Sequence, residues 1–303
     1  MIEDIFNSDH TEGVVPQVAT PSQSIMLFKQ KVLIVCPWLK FVSPITSFCM
    51  TQLADKRRTS MALNFGDAFV AHSRNSCADA FLKSTLEWAL WIDDDMVVPF
   101  GNSKWYRAYT GWENYPDPFA GFNAIDRLMS HGKSVVGAVY FGKHPTGHPV
   151  YNEGGRPDEA AYVRKGPRDL VKPTKWVGTG CLLTHRSVFE DIEKKFPLLA
   201  RGPDGKGGQY FTSSEHSIME GVRRTRDMLS NGPMNGEKCL KAYEMLEGLA
   251  LEAKNKSSLG MGEDVQFCLR AGEAGHQPHV DLGLICGHIG TTVYGPHNTF
   301  SPK

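Results

Sequence analysis

Apolar residues gather along the chain in short runs separated by amphipathic stretches. "KVLIVCP" (31–37) is continuously apolar and stopped by proline, which predicts a strand buried on both faces. In "AHSRNSCADAFLKS" (71–84), Ala78, Phe81 and Leu82 recur at helical spacing and predict a helix feeding a strand over 87–92. A helix at 124–132 follows, with Gly132 as its stop, and then a strand at 134–141. Further on come a strand at 180–186, a helix at 187–196 capped by Ser187, a helix at 262–275 and a last strand at 278–288. Strands alternating with helices predict an α/β fold with a mostly parallel central sheet flanked by helices.

Three stretches break the alternation. Residues 1–29 are polar and aperiodic and predict a flexible N-terminal arm, ahead of a single domain over 30–303. Residues 99–122, rich in Trp, Tyr, Gly, Pro and Asn, predict a long ordered loop. Residues 201–259 predict an inserted helical hairpin or lid, with helices over 214–230 and 236–256.

Charge removes some partners from consideration. The 33 basic and 33 acidic side chains cancel, so there is no global attraction to nucleic acid or membrane, and a polyanion would need a local basic face. No apolar run approaches the roughly 20 residues that span a bilayer. The start, "MIEDIFNSDHTEG", lacks the basic-then-apolar order of a signal peptide. Seven scattered cysteines with no CxxC pair predict a reducing, cytoplasmic location without structural zinc.

"LWIDDDMVV" (90–98) carries the first sign of chemistry. Asp93, Asp94 and Asp95 fall at the carboxyl end of a predicted strand, where open α/β sheets bind ligands. The alternate acids Asp93 and Asp95 can project to a common centre and hold a hard divalent cation, although a solvated acidic turn reads the same. "CGHIG" ends the last strand and offers His288, between two glycines, as a third ligand. "GEDVQF" opens a helix with Glu263 and Asp264. Compensation of the helix dipole, about 0.3–1 kcal/mol per acid, favours such acids but does not require an adjacent pair after glycine.

Six segments in this order resemble a family: "KVLIVCP", "SRNSCADAFLKSTLEWALWIDDDM", "SVVGAVYF", "WVGTGCLLTHRSVFEDI", "GEDVQFCLRAGEAG" and "DLGLICGHIG". Together they are similar to GT-A-fold (Rossmann-like) glycosyltransferases, most of all the small soluble type of bacteriophage and bacterial genomes. The resemblance spans about residues 30–293, excluding the two interruptions after residue 98. It implies transfer of a sugar from a nucleotide-sugar donor, in the first instance a UDP-sugar, to an acceptor hydroxyl. Mn²⁺ or Mg²⁺ on Asp93 or Asp95 and His288 would stabilise the charge growing on the leaving diphosphate. Asp95 is then the direct ligand, Asp93 reaches ribose or metal-bound water, and Asp94 touches the donor sugar.

Asp264 corresponds to the aspartate that serves as general base in inverting members, and Glu263 to a residue binding sugar or acceptor hydroxyls. A helix N-terminus lowers a carboxyl pKa, so Asp264 is expected to be a weak base that works by position. Pro37 and Trp38 would grip base and ribose, and Arg74 and Asn75 would meet uracil or phosphate. Val177, Gly178, Thr179 and Gly180 would allow close approach to the donor sugar or acceptor.

The acceptor is read from two basic stretches and one aromatic loop. Arg164, Lys165, Arg168, Lys172 and Lys175 face a single acid, Asp169, and "VRRTR" (222–226) adds three arginines. Trp105, Tyr106, Tyr109, Trp112 and Tyr115 could stack on a sugar or an unstacked base. The expected acceptor is a 5-hydroxymethylpyrimidine in phage DNA, with a cell-surface glycan or a protein as the rival. A metal-dependent phosphoryl-transfer enzyme would need more acids converging on two metals, and a carbohydrate-binding module would not need Asp95, His288 and Asp264 together.

Overall fold

The computed structural model describes residues 31–37, 42–54, 59–64, 70–101, 123–143, 149–152, 171–201, 207–212, 214–230, 233, 235–254, 262–290 and 293–294. The expected arm at 1–29, Trp38, the aromatics at 105–115 and the basic residues at 164–168 lie outside the described residues.

In chain order the strands are β1 (Val32–Pro37), β2 (Thr59–Asn64), β3 (Trp88–Ile92), β4 (Met96–Val97), β5 (Val135–Val139), β6 (Tyr151–Asn152), β7 (Val171–Pro173), β8 (Trp176–Val177), β9 (Cys181–His185), β10 (His279–Ile285), β11 (Gly287–Ile289) and β12 (Val293–Tyr294). The helices are α1 (Pro44–Leu53), α2 (Val70–Lys83), α3 (Ala124–Ser130), α4 (Arg186–Lys195), α5 (Ser214–Ser230), α6 (Gly236–Lys254) and α7 (Glu263–Glu273). A seven-stranded sheet runs in the order β2-β1-β3-β9-β5-β10-β7. Strands β2, β1, β3, β5 and β10 share a direction, whereas β9 opposes both of its neighbours and β7 opposes β10. The fold is α/β, with a mixed, mostly parallel sheet.

Alternation within each apolar run explains the helices on both faces. In β1, Leu33 and Val35 join Ala89 and Trp91 of β3 in a core covered by Phe81 of α2, Phe189 of α4 and Phe267 of α7. Val32, Ile34 and Cys36, with Trp88, Leu90 and Ile92, face Met50 and Leu53 of α1 and Leu128 and Met129 of α3. Both faces of the strand are therefore dry, and the sequence reads as unbroken apolar residues. Arg186, first residue of α4, donates to the carbonyls of Phe81, Leu82, Ser84 and Leu86, closing the end of α2.

The structure departs from the sequence reading at three places. The cap of α4 is His185 rather than Ser187: its Nδ1 accepts from the Ser187 amide at 3.3 Å. The strand expected over 278–288 is divided, because β10 has an irregular register between Asp281 and Ile285 and β11 joins another sheet. Helix α1 and strand β2 occupy residues 44–53 and 59–64, for which the pattern predicts nothing. The expected hairpin is present as α5 and α6, α6 ending at Lys254.

Candidate active site

The small sheet β12-β11-β4 builds the site. After β3 the chain turns through Asp93–Asp95 and resumes as β4, which pairs antiparallel with β11: Met96 faces His288 and Val97 faces Gly287. Residues 95 and 288 are thereby brought side by side from opposite ends of the chain. The turn itself is pinned by its backbone. The Asp93 amide donates to the Gly180 carbonyl (3.3 Å), the Asp94 carbonyl accepts from the Ser43 amide (2.8 Å), and the Asp95 carbonyl accepts from the Ile289 amide (2.7 Å).

The two alternate acids take different partners. Asp95 lies between two cationic or cation-binding groups: its Oδ1 is 3.2 Å from His288 Nε2, and its Oδ2 accepts from the Lys143 ammonium. Burial acts to raise the Asp95 carboxyl, but His288 and Lys143 outweigh it and hold the group below the usual carboxylate range. Asp93 turns to Arg74, whose Nη2 donates to its Oδ1 at 2.7 Å. The same guanidinium donates through Nη1 to Glu263 Oε1 at 2.6 Å, so one buried cation ties the acid triplet to the acid pair at the start of α7. Desolvation opposes its charge, yet Asp93 and Glu263 push its pKa above the ordinary value.

Asp264 differs from expectation in its electrostatics. Its Oδ1 accepts from the Val265 amide at 2.8 Å, the arrangement of a helix start. Burial nevertheless raises its pKa, with Glu263 and Asp93 adding to the rise and Arg74 opposing it. The carboxyl is thus a stronger base than a helix N-terminus alone would leave it. In a polar mouth already holding Asp93 and Glu263, a further negative charge is what the environment resists.

Other expected residues have structural employment. Asn75 clamps the segment leading to α5: its Oδ1 accepts from the Phe211 amide (2.8 Å) and its Nδ2 donates to the Phe211 carbonyl (3.2 Å). The room left by Gly178 and Gly180 is taken by Tyr140. A Cβ at Gly178 would collide with the Tyr140 hydroxyl, and one at Gly180 would lie 2.9 Å from its ring. Tyr140 Oη accepts from the Gly180 amide at 3.3 Å, and its ring meets the His288 imidazole edge-on at 5.4 Å. Thr179 is wholly buried in the same turn, and Pro37 closes the buried strand β1.

Lys143 and Tyr140 escaped the sequence reading. Their one signal is position, at or just past the carboxyl end of β5, the same sheet end as the acid triplet. Of the basic residues proposed for a polyanion, Lys172 lies in the edge strand β7. Arg223 and Arg226 both pair with Asp227, at 3.2 and 2.9 Å, which removes part of their charge.

A carboxylate and an imidazole side by side could hold a divalent ion. His288 Nδ1 lies 2.8 Å from the Phe141 carbonyl and donates to it, which turns Nε2 toward Asp95. One carboxylate and one imidazole would fill two positions around such an ion. Asp93 is engaged by Arg74, so the pair that could hold a cation is Asp95 and His288. Among the described residues no group of three or more His, Cys, Asp or Glu converges on one centre. Also among them, no helix is long and apolar enough to cross a membrane. In comparisons with known proteins, the chain matches no family model and no curated sequence.

Proposed function

We propose that the protein is a metal-dependent glycosyltransferase of the GT-A type, moving a sugar from a nucleotide-sugar donor to an acceptor hydroxyl with inversion. The observation that carries the reading is the Arg74 bridge. It ties Asp93, two residues before Asp95, to Glu263, the neighbour of Asp264, at the carboxyl end of β3. Transfer from a nucleoside diphosphate needs two poles: positive charge where the phosphate departs, and a proton acceptor where the hydroxyl attacks.

Each residue then has a defined task. Mn²⁺ or Mg²⁺, held by Asp95 and His288, would supply Lewis-acid charge to the diphosphate. Asp264 takes the acceptor proton as the oxygen attacks the anomeric carbon, and its raised pKa strengthens it for that role. Glu263 and Asp93, anchored on Arg74, present their outer edges to donor or acceptor hydroxyls. A phosphoryl-transfer enzyme would want further acids beside Asp95, but Lys143 and His288 stand there.

The proposed acceptor is a 5-hydroxymethylpyrimidine in DNA. Its support is the exposed arginine face of α5, which Asp227 weakens. The test is a thermal-shift and turnover screen of nucleotide sugars with Mn²⁺, followed by mass spectrometry of candidate hydroxymethylated DNAs. UDP-sugars should stabilise the protein and be slowly hydrolysed without acceptor, and chelator should remove both effects. No stabilisation and no donor turnover by any nucleotide sugar would overturn the reading.

A further inference from the structure

Both oxygens of the Asp95 carboxylate are engaged by other side chains. His288 donates through Nδ1 to the Phe141 carbonyl at 2.8 Å and sets Nε2 3.2 Å from Asp95 Oδ1, so one oxygen of the carboxylate is engaged. Among the described residues, the cation within reach is the Lys143 ammonium on Oδ2, the other oxygen of the same carboxylate. Lys143 follows the end of β5, and its side chain is 41% exposed, against 5% for Arg74. An ammonium so placed returns to water at little cost, whereas the buried guanidinium cannot leave.

We propose that Lys143 is an exchangeable counter-ion. It neutralises Asp95 while no divalent ion is bound, yields the carboxylate when the ion arrives, and then turns its ammonium to the diphosphate. The inference rests on the metal reading of Asp95 and His288 above. It gives Lys143 opposite effects on the two ligands, competing with the ion and assisting the phosphate, so that ion and nucleotide promote each other's binding. Linkage requires the assistance to be mutual.

The experiment titrates Mn²⁺, followed by the electron paramagnetic resonance of the free ion, and then UDP at saturating Mn²⁺. Wild type, Lys143→Met and Lys143→Arg are compared. Without nucleotide, Lys143→Met should bind Mn²⁺ more tightly by about two- to fivefold, the scale of a partly exposed ion pair. At saturating Mn²⁺ it should bind UDP more weakly by about fivefold or more, the lower end of ordinary coupling. Lys143→Arg keeps the charge and should follow wild type in both. Mn²⁺ binding by Lys143→Met equal to or weaker than wild type would overturn the exchange while leaving the metal site standing. Failure of wild type itself to bind Mn²⁺ would overturn the metal reading, and the exchange with it.

Discussion

Arg74, at the mouth of the sheet, and Arg223 and Arg226, on the hairpin, are all paired with carboxylates, yet the pairs have little in common. Arg74 is 5% exposed and reaches acids 19 and 189 residues away in the chain. Arg223 and Arg226 have side chains 56% and 71% exposed and share Asp227, four residues from one and next to the other. A buried guanidinium is costly unless its partners are in place, so such a bridge persists only where the surrounding fold over-determines it. An exposed local pair contributes about 0–1 kcal/mol and constrains little. The comparison teaches that sequence distance and burial, rather than the presence of charge, separate an organising cation from a surface one.

The largest expected effect probes what the buried bridge organises. Asp264→Asn keeps the shape of the mouth and removes the proton acceptor, so sugar transfer should fall by about 10²–10⁴-fold. UDP affinity at saturating Mn²⁺ should stay near wild type in the same titration. If affinity collapses while rate survives, Asp264 is a binding residue and the comparison loses its catalytic half.

Next comes the bridge itself. Arg74→Met leaves Asp93 and Glu263 facing each other unpaired, and chemical denaturation at neutral pH should show a loss of about 3 kcal/mol. The variant also has a pH signature. Burial raises Asp264 above the usual aspartate value and Arg74 partly restrains it, so activity should fall on acidification at a midpoint above 3.8. Without Arg74 that midpoint should move higher still. Asp95 is shifted the other way and remains ionised below 3.8, so it cannot set this limb. The sign reverses for stability: Asp95 contributes stability that is present above 3.8 and lost as pH falls through its folded value, whereas Asp264 favours the folded state only when protonated. An acid limb that is identical in Arg74→Met and wild type would show that Arg74 does not act on the base.

The smallest effect belongs to the hairpin. Arg223→Ala with Arg226→Ala should change stability by no more than about 0.5 kcal/mol. If α5 meets DNA, the pair should reduce the slope of log affinity against log salt by about 0.9 for each phosphate no longer neutralised. An unchanged slope would remove α5 from the proposed DNA face, and the two regions would then differ in having a role at all.

What could be read in advance follows the physics of each signal. Strands β1, β3, β5 and β9 and helices α2, α4 and α7 were legible because burial on a fixed face leaves a period in the letters. Strand direction leaves none, and β9 runs against both neighbours with no sign of it in "CLLTH". The acids and His288 stood out as polar residues at the ends of apolar runs. Lys143 did not, because a lysine after a strand is ordinary until Asp95 is placed beside it by the pairing of β4 with β11. Asn75 and the glycines at 178 and 180 were noticed for ligand chemistry, but their neighbours are Phe211 and Tyr140, residues no local pattern connects to them.

The bridge from Arg74 to Glu263 also has a consequence for how the protein is made. At about 5–20 residues per second, the 189 positions between them take a ribosome about 10–40 s to add. During that interval Arg74 and Asp93 exist without the third member of their cluster, and β5 lacks β10, the strand that pairs with it on one side. The nascent chain must therefore carry an open sheet edge and a half-compensated charge until residues 263–285 emerge. Glu263, Asp264 and His288 all follow β9. Translation thus delivers Arg74, Asp93, Asp95 and five adjacent strands first, and a chain stalled before residue 263 leaves β5 open on one side, without Glu263, Asp264 or His288.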